Sequence, residues 1–241
     1  MACRKVILIG WIGVFILAAG CKKGADAPPE PGDVVGSLNR QCDKKKPQAC
    51  LKAGIAYFKG QGTRQSLPKA AERFGRACAL GVGQACFHVG KMLERGQGVT
   101  KDFSEAMIRY RKACDLKVGL GCWRTGAALY QGEGGTPRDI SGAMSYFKKG
   151  CDLNEGMSCF FVSTGFRTGA GGLSRSDTQA VKYLKKACDL GDRNGCAGLA
   201  MMIENEQGGL KKNAAEAQRL FKKACDKGVL AACEALKKYG K

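Results

Sequence analysis

The sequence is poor in the residues on which many catalytic and metal sites depend. It contains one histidine, His88, and no Cys-x2-Cys pair, and 7% of its residues are aromatic. Structural zinc sites use cysteines two to four residues apart, usually with histidines, and thiol catalysis often uses Cys-x2-Cys. A serine-histidine-aspartate triad needs a histidine as its base. We therefore expect no metal, no cofactor and no catalytic residue of these kinds.

Acidic residues are scarce relative to basic ones. The chain has 40 Lys+Arg against 21 Asp+Glu, a formal net charge of +19. Such an excess favours anionic partners, such as an envelope polymer or a lipid surface. No nucleic-acid recognition motif accompanies the charge, so we expect no nucleic-acid partner. The 44% hydrophobic content is enough for a soluble body with a buried core.

The amino terminus has the order of a secretory signal peptide. Arg4 and Lys5 precede an apolar run over residues 6–19, which is too short to span a bilayer. Residues 17–21, Leu-Ala-Ala-Gly-Cys, resemble the lipobox of bacterial lipoproteins, although the leucine lies one place further out than usual. This resemblance implies that residues 1–20 are removed and that Cys21 is acylated. Ordinary cleavage and free secretion is the alternative, and both place the protein outside the cytoplasm.

A proline-rich, charged segment follows over residues 21–34 and predicts a flexible tether. Beyond it, twelve cysteines form six pairs, and the two cysteines of each pair are eight residues apart. Successive pairs recur every 36 or 37 residues, which indicates an array of helical repeats. The pairs are Cys42/Cys50, Cys78/Cys86, Cys114/Cys122, Cys151/Cys159, Cys188/Cys196 and Cys225/Cys233.

The pattern within each repeat predicts two helices. In the first repeat, Gly54 and Tyr57 follow Cys50 by four and seven residues, which places all three on one helix face. A Gly-x-Gly stop follows, and a second helix carries Ala70-x3-Phe74 towards the next cysteine. The same pattern predicts an all-α region over residues 35–241, with a partial helix before the repeats and a closing helix after them. The five repeats span residues 47–82, 83–118, 119–155, 156–193 and 194–229.

The spacing within a cysteine pair has a geometric meaning. In an unbroken helix, two residues eight apart have Cα atoms about 12 Å apart, too far for a disulfide. A turn must therefore separate them, and a disulfide would join one repeat's second helix to the next repeat's first helix. Other pairings stay open from sequence alone. Glycines predicted to form these turns are Gly81/Gly83, Gly119/Gly121, Gly156, Gly191/Gly195 and Gly228.

The first repeat has the pattern Cys50-x3-Gly54-x2-Tyr57-x2-Gly60-x-Gly62, followed by Ala70-x3-Phe74-x3-Cys78. This pattern resembles the Sel-one-like repeat, a relative of the tetratricopeptide repeat. Its paired cysteines resemble those of the Helicobacter cysteine-rich protein family. The resemblance implies a right-handed superhelical solenoid whose first helices line a concave groove for a protein or peptide ligand. We expect a monomer.

Some members of that family are described as penicillin-binding proteins with slow β-lactam hydrolysis, so the resemblance also implies an alternative, enzymatic function. Serine β-lactamases need Ser-x-x-Lys together with Ser-Asp-Asn and Lys-Thr-Gly. The chain has Ser66/Lys69 and Ser145/Lys148 but neither companion motif. The residues therefore favour a scaffold without catalytic activity.

Aromatic and basic residues of the first helices are the candidate ligand contacts. They are Trp123, Arg124, Tyr130, Phe160, Phe161 and Arg167. The polar first-helix residues Lys52, His88, Arg124 and Arg167 are expected to face solvent on the groove side. Aromatic rings beside guanidinium groups suit a peptide or an anionic glycan. The alternative is that the apolar members pack between repeats. A basic ridge is predicted on the second helices from Arg111/Lys112, Lys148/Lys149, Lys185/Lys186 and Lys222/Lys223.

Overall fold

The computed structural model describes residues 33–239; the predicted signal peptide, Cys21 and nearly all of the tether lie outside the described residues. Within this range the chain forms twelve α-helices and no strand. The helices are α1 (Val34–Asp43), α2 (Pro47–Lys59), α3 (Leu67–Ala79), α4 (Gly83–Arg95), α5 (Phe103–Asp115), α6 (Gly119–Gln131), α7 (Ile140–Asp152), α8 (Gly156–Thr168), α9 (Asp177–Asp189), α10 (Arg193–Glu204), α11 (Ala214–Cys225) and α12 (Leu230–Leu236).

The helices alternate between two types, as the repeat pattern predicts. The first helices are α2, α4, α6, α8 and α10, and each packs most extensively on the second helix that follows it, α3, α5, α7, α9 or α11. Successive hairpins stack through contacts between each second helix and the next first helix. Helix α1 has the place of a second helix and α12 that of a first helix. The all-α solenoid is thus confirmed.

Local sequence determines where the helices end. Gly60, Gly96, Gly132 and Gly169 end four first helices with φ between 67° and 75°, a left-handed conformation that favours glycine. Most second helices begin at a polar cap whose side chain accepts a hydrogen bond from a backbone N–H three residues on. These caps are Asp102, Asp139, Ser176 and Asn213.

A small residue and a large ring meet where the two helices of a repeat cross. A Cβ atom at Gly54 would lie 2.5 Å from the ring of Phe74, and one at Gly126 would lie 2.8 Å from the ring of Phe147. Both rings are fully buried. The glycine predicted from its spacing to the cysteine therefore lets an aromatic ring lie directly on the backbone of the first helix.

All six neighbouring cysteine pairs form disulfides, with Cα atoms 4.4–4.8 Å apart. Each of them joins a second helix to the first helix of the next repeat, as predicted. The chain is therefore bonded covalently at every joint between hairpins. The pairs are Cys42–Cys50, Cys78–Cys86, Cys114–Cys122, Cys151–Cys159, Cys188–Cys196 and Cys225–Cys233.

The cysteines that begin the third, fourth and fifth repeats belong to the core and not to a surface site. Cys122, Cys159 and Cys196 are each 0% exposed. They were predicted to form disulfides, and the structure places all three of them inside the core. Their part in the molecule is therefore structural: each disulfide holds two helices together from inside the core.

The prediction that glycines form five of the six turns between paired cysteines was partly wrong. Gly81, Gly191 and Gly228 do adopt positive φ angles of 87°, 85° and 82°. The corresponding left-handed residues in the other three turns are Lys45, Lys117 and Asn154. The other predicted turn glycines begin first helices or lie inside them; they are Gly83, Gly119, Gly121, Gly156 and Gly195.

Two of these helical glycines have a packing role instead. A Cβ atom at Gly121 would lie 2.7 Å from the Cβ atom of Ala113, and one at Gly195 would lie 2.5 Å from that of Ala187. In both cases the neighbour belongs to the preceding second helix. Glycine is therefore needed because the two helices approach closely beside the disulfide.

Ser158 occupies the position of Gly121 and Gly195 in its own repeat, and its hydroxyl is buried with no hydrogen-bond partner among residues 33–239. We expect Ser158→Ala to raise the free energy of unfolding by about 1 kcal/mol, because it removes an unpaired buried polar group. Urea denaturation measures the change. A loss of stability would show that the hydroxyl is paired in solution.

Candidate ligand-binding face

Each first helix leaves one stripe uncovered by its neighbours. The stripe contains four positions in each first helix, counted from the second cysteine of a pair: two residues before it, and two, five and nine residues after it. On a helical wheel these four positions lie within about 60° of one another, on the side opposite the cysteine. Most of these residues are exposed or half-buried. Together these residues form a surface that we call the first-helix face. Its residues are Gln48, Lys52, Ile55, Lys59, Gln84, His88, Lys91, Arg95, Leu120, Arg124, Ala127, Gln131, Met157, Phe161, Thr164, Thr168, Asn194, Gly198, Met201 and Asn205.

The composition of this face changes along the array. Its first two helices carry exposed or half-buried basic residues, Lys52, Lys59, Lys91 and Arg95. Its last two helices contribute no charged residue to the stripe and carry Met157, Phe161 and Met201, of which Met201 is 48% exposed. The first-helix face is therefore basic at its amino-terminal end and uncharged, with apolar side chains, at its carboxy-terminal end.

Arg124 lies between the two halves and is held by carboxylates. Its guanidinium donates to both carboxylate oxygens of Glu94, at 3.1 and 2.7 Å, and to Glu133 at 2.7 Å. The Tyr110 hydroxyl donates to the same Glu94 carboxylate. Helical spacing places Arg124 in solvent, but its side chain is 14% exposed, so that expectation was wrong. The cluster joins the second and third repeats.

The pKa values in this cluster follow from burial and pairing. Burial raises the pKa of Glu94, but hydrogen bonds from Arg124 and Tyr110 outweigh it and hold the pKa below its ordinary value. Burial and the Glu94 carboxylate raise the pKa of the Tyr110 hydroxyl. Burial lowers the pKa of Arg124, but Glu94 and Glu133 raise it more. Glu94 is thus ionised and Tyr110 neutral at neutral pH.

Removing the cation from this cluster is expected to destabilise the array in a pH-dependent way. Arg124→Leu leaves Glu94 half-buried without its counterion, and we expect it to lower the free energy of unfolding by about 1–3 kcal/mol at pH 7. Because the folded pKa of Glu94 is depressed, its stabilisation is present above its ordinary pKa of 4.5 and is lost as pH falls through the folded value.

Urea denaturation of wild type and Arg124→Leu at pH 7 and pH 3 measures this effect, with the exposed Arg111→Leu as the matched control. The difference between wild type and Arg124→Leu should shrink at pH 3. A difference independent of pH would mean that the arginine acts through packing alone.

The predicted aromatic residues form one cluster between the third and fourth repeats, whereas the Arg124 guanidinium lies over the rings of Phe103 and Tyr110. The ring of Phe161 stacks on buried Phe147 at 4.6 Å and lies 5.8 Å from Tyr130 and 5.7 Å from Phe160. Trp123 is half-buried against the same core, and its indole N–H is enclosed without a hydrogen-bond partner among the described residues. These rings therefore pack between repeats and also border the first-helix face.

The remaining polar candidates differ in exposure. Arg167 is exposed at the carboxy-terminal end of α8. His88 is half-buried and stacks on Phe74 with ring centroids 4.8 Å apart. Burial, followed by Lys91 and Lys59, lowers the pKa of His88. Sequence reasoning missed Glu94 and Glu133 as partners of Arg124. Glu94 follows Cys86 by eight residues and therefore lies on the first helix of the repeat before that of Arg124, and this neighbouring position was the one available signal.

The two Ser-x-x-Lys matches lie in ordinary helical surroundings. Ser66 precedes α3 as its half-buried cap residue. Ser145 is exposed on α7, where its hydroxyl donates to the carbonyl of Ser141. Across residues 33–239 no group of His, Cys, Asp and Glu is placed to hold a metal ion. Within the same residues, every helix is too short or too polar to cross a membrane.

Several known structures are similar to this one. The c5321 protein, a protective antigen of uropathogenic Escherichia coli with an SLR fold, has 25% identity and a TM-score of 0.73 over 83% of this chain and 42% of its own. A Sel1 repeat protein from Oxalobacter formigenes has 21% identity and a TM-score of 0.72 over 86% and 88%. The chain thus spans less than half the length of c5321.

Helicobacter pylori cysteine-rich protein B has 31% identity over 56% of this chain and 96% of its own, with a TM-score of 0.44. No curated protein matches the chain in sequence. The Sel1 repeat model matches five consecutive segments, residues 47–82, 83–118, 119–155, 156–192 and 194–229. These segments cover most of the chain and coincide with the helical hairpins of the structure, so the protein belongs to the Sel1 repeat family.

Proposed function

We propose that the protein is a scaffold outside the cytoplasm that binds an extended segment of a partner protein across its first-helix face. The observation that carries this proposal is the change of that face from basic to uncharged and apolar along the array. A partner segment with acidic residues at one end and apolar residues at the other matches it in charge and in hydrophobicity.

The basic half supplies the electrostatic part of this recognition. Lys52, Lys59 and Arg95 are exposed, and none of them forms a salt bridge within residues 33–239. Their charges are therefore available to carboxylates of a ligand. Arg124 contributes differently, because its charge is already neutralised by Glu94 and Glu133. It fixes the relative position of two repeats.

The apolar half supplies contact area. Phe161 is held by stacking on Phe147, so it offers a ring edge at little entropic cost. Tyr130, Phe160 and Trp123 border the same place, and Arg167 lies exposed at the end of α8. The sequence-based candidates thus comprise a ring cluster and an exposed cation, which suit a peptide better than a small metabolite.

Localisation is inferred from the disulfides and the amino terminus. Disulfides persist in oxidising compartments, so six of them indicate a protein outside the cytoplasm. We propose further that Cys21 is acylated and attaches a monomeric array to a membrane. The intact mass of the protein purified from membranes tests this: diacylglycerol and acyl groups on Cys21 support it, and an unmodified amino terminus at another residue contradicts it.

Panning a random phage-displayed peptide library against the purified protein tests the binding face. We expect selected peptides with acidic residues at one end and apolar residues at the other. Lys91→Glu/Arg95→Glu should abolish their binding, and Met201→Ser, at an exposed position, should weaken it. The matched control Arg111→Glu/Arg219→Glu reverses two exposed charges on second helices. Loss of binding in the control, with none in the first-helix variants, would contradict the proposal.

A further inference from the structure

A second concave surface lies on the opposite type of helix. Three lysines of α9 and the turn after α10 enclose an open groove of about 670 Å³, which we call the α9 groove. The residues that line it are Asn154, Thr178, Val181, Lys182, Lys185, Lys186, Asp189, Leu190, Gly208, Gly209 and Leu210. None of these residues belongs to the first-helix face.

One residue of the groove floor differs from its equivalents in the two preceding repeats. Val181 occupies the position that Met107 and Met144 hold in the two preceding repeats. In the third repeat, Met144 lies under the turn glycine Gly171, where a Cβ atom would be 2.4 Å from the methionine Cγ atom. Valine is shorter than methionine. The turn glycine of this repeat packs just as closely, because a Cβ atom at Gly208 would be 2.6 Å from the Val181 Cγ2 atom, so the shorter side chain only reduces the bulk at the groove floor.

The charge of the groove is not balanced within the molecule. The side chains of Lys182, Lys185 and Lys186 form no salt bridge or hydrogen bond within residues 33–239, and Asp189 is the one carboxylate among the lining residues. In the first repeat the residue equivalent to Lys182 is Glu72, which pairs with Arg76 at 3.0 Å. Positive charge in a concavity attracts an anionic ligand.

The floor and rim of the groove indicate the chemistry of that ligand. Val181, Leu190 and Leu210 supply apolar surface, and Leu190 is 39% exposed. Gly208 and Gly209 have φ angles of 66° and 82°, and their backbone N–H groups have no acceptor within the described residues. An open groove with an apolar floor, a lysine rim and free backbone donors matches a polypeptide that alternates carboxylate and apolar side chains.

We propose that the α9 groove binds an acidic segment of a partner protein in which apolar side chains alternate with carboxylates. The apolar side chains lie on Val181, Leu190 and Leu210, and the carboxylates pair with the three lysines. This site is separate from the first-helix face and does not depend on it. With both occupied, one array holds two partner segments at the same time.

Fluorescence anisotropy with the labelled peptide Glu-Asp-Leu-Glu-Leu-Asp-Glu, titrated with the disulfide-bonded protein, tests the site. We expect binding that weakens as salt is added. Lys182→Glu/Lys185→Glu should weaken it by about tenfold or more. Val181→Met, which restores the methionine of the preceding repeats without changing charge, should weaken it as well. The same peptide with serine in place of leucine should bind more weakly than the parent.

Two controls separate this site from its alternatives. In the Lys91→Glu/Arg95→Glu background, which disables the basic half of the first-helix face, the peptide should still bind and Lys182→Glu/Lys185→Glu should still weaken it, so that failure of the first-helix face and failure of the α9 groove give different results. An unchanged affinity in Val181→Met would overturn the proposal, because the peptide would then bind through nonspecific attraction to the positive charge of the protein and not through contact with the groove floor. Binding to phosphatidylglycerol vesicles through the same lysines, with none to the peptide, would also overturn it and indicate a lipid surface instead. Circular dichroism confirms that each variant is folded.

Discussion

Phe147→Ala is expected to lower the free energy of unfolding by about 3–5 kcal/mol, a large part of the stability of a domain of this size. The ring is fully buried at the crossing of α6 and α7, where it lies against Gly126 and stacks on Phe161. Truncation removes apolar contact and leaves a cavity, because a helix backbone cannot collapse to fill it. Urea denaturation followed by circular dichroism measures the loss.

Phe160→Ala is the matched control for this substitution. Phe160 is also aromatic and in the same cluster, but it is half-buried, so the expected loss is smaller. A loss below about 1 kcal/mol at Phe147 would contradict the assignment of this ring as a central packing residue of the third repeat. Equal losses at the two positions would mean that burial does not distinguish them.

Reduction of all six disulfides is expected to unfold the array at 37 °C. Each disulfide closes a loop between cysteines eight residues apart, which contributes about 2.5 kcal/mol in the chain-entropy model. Six such loops give roughly 15 kcal/mol, which equals or exceeds the net stability of most domains. Loss of helical circular dichroism after reduction and alkylation measures the effect, with alkylation of the unreduced protein as the control.

The order of reduction carries further information. Cys225 and Cys233 are both half-buried, whereas each of the other disulfides has at least one fully buried cysteine, such as Cys122, Cys159 or Cys196. Mass spectrometry during a dithiothreitol titration should therefore find the last pair reduced first. A fully reduced protein that keeps its helical signal would show that packing alone holds the repeats together.

Much of this fold could be predicted because its signals are local and repeated. The cysteine spacing, the small residue four places on and the Gly-x-Gly stop recur in phase, so each repeat supports the interpretation of the others. The need for a turn between paired cysteines followed from the impossibility of bridging eight residues within one helix, and the structure has the neighbour pairing among those that the sequence left open. Contacts within a repeat and between neighbouring repeats were therefore accessible from sequence.

Details that depend on side-chain geometry between repeats were not accessible. Arg124 was predicted to face solvent, because helical spacing alone gives no sign of the carboxylates of Glu94 and Glu133 that enclose it. The turn glycines were partly misassigned because glycine serves both for left-handed backbone and for close helix approach, as at Gly121. The α9 groove lies between α9 and the turn after α10, which belong to neighbouring repeats, so no pattern within one repeat reveals it.

The disulfide arrangement also has a consequence for how the protein matures. From Cys42 onwards, the first cysteine of each pair is bonded to the next cysteine along the chain. A chain that enters an oxidising compartment amino terminus first therefore presents each of these twelve cysteines with its native partner before any cysteine of a later pair arrives. Oxidation in order of arrival gives the native pairing directly, and no shuffling of wrongly paired cysteines is required.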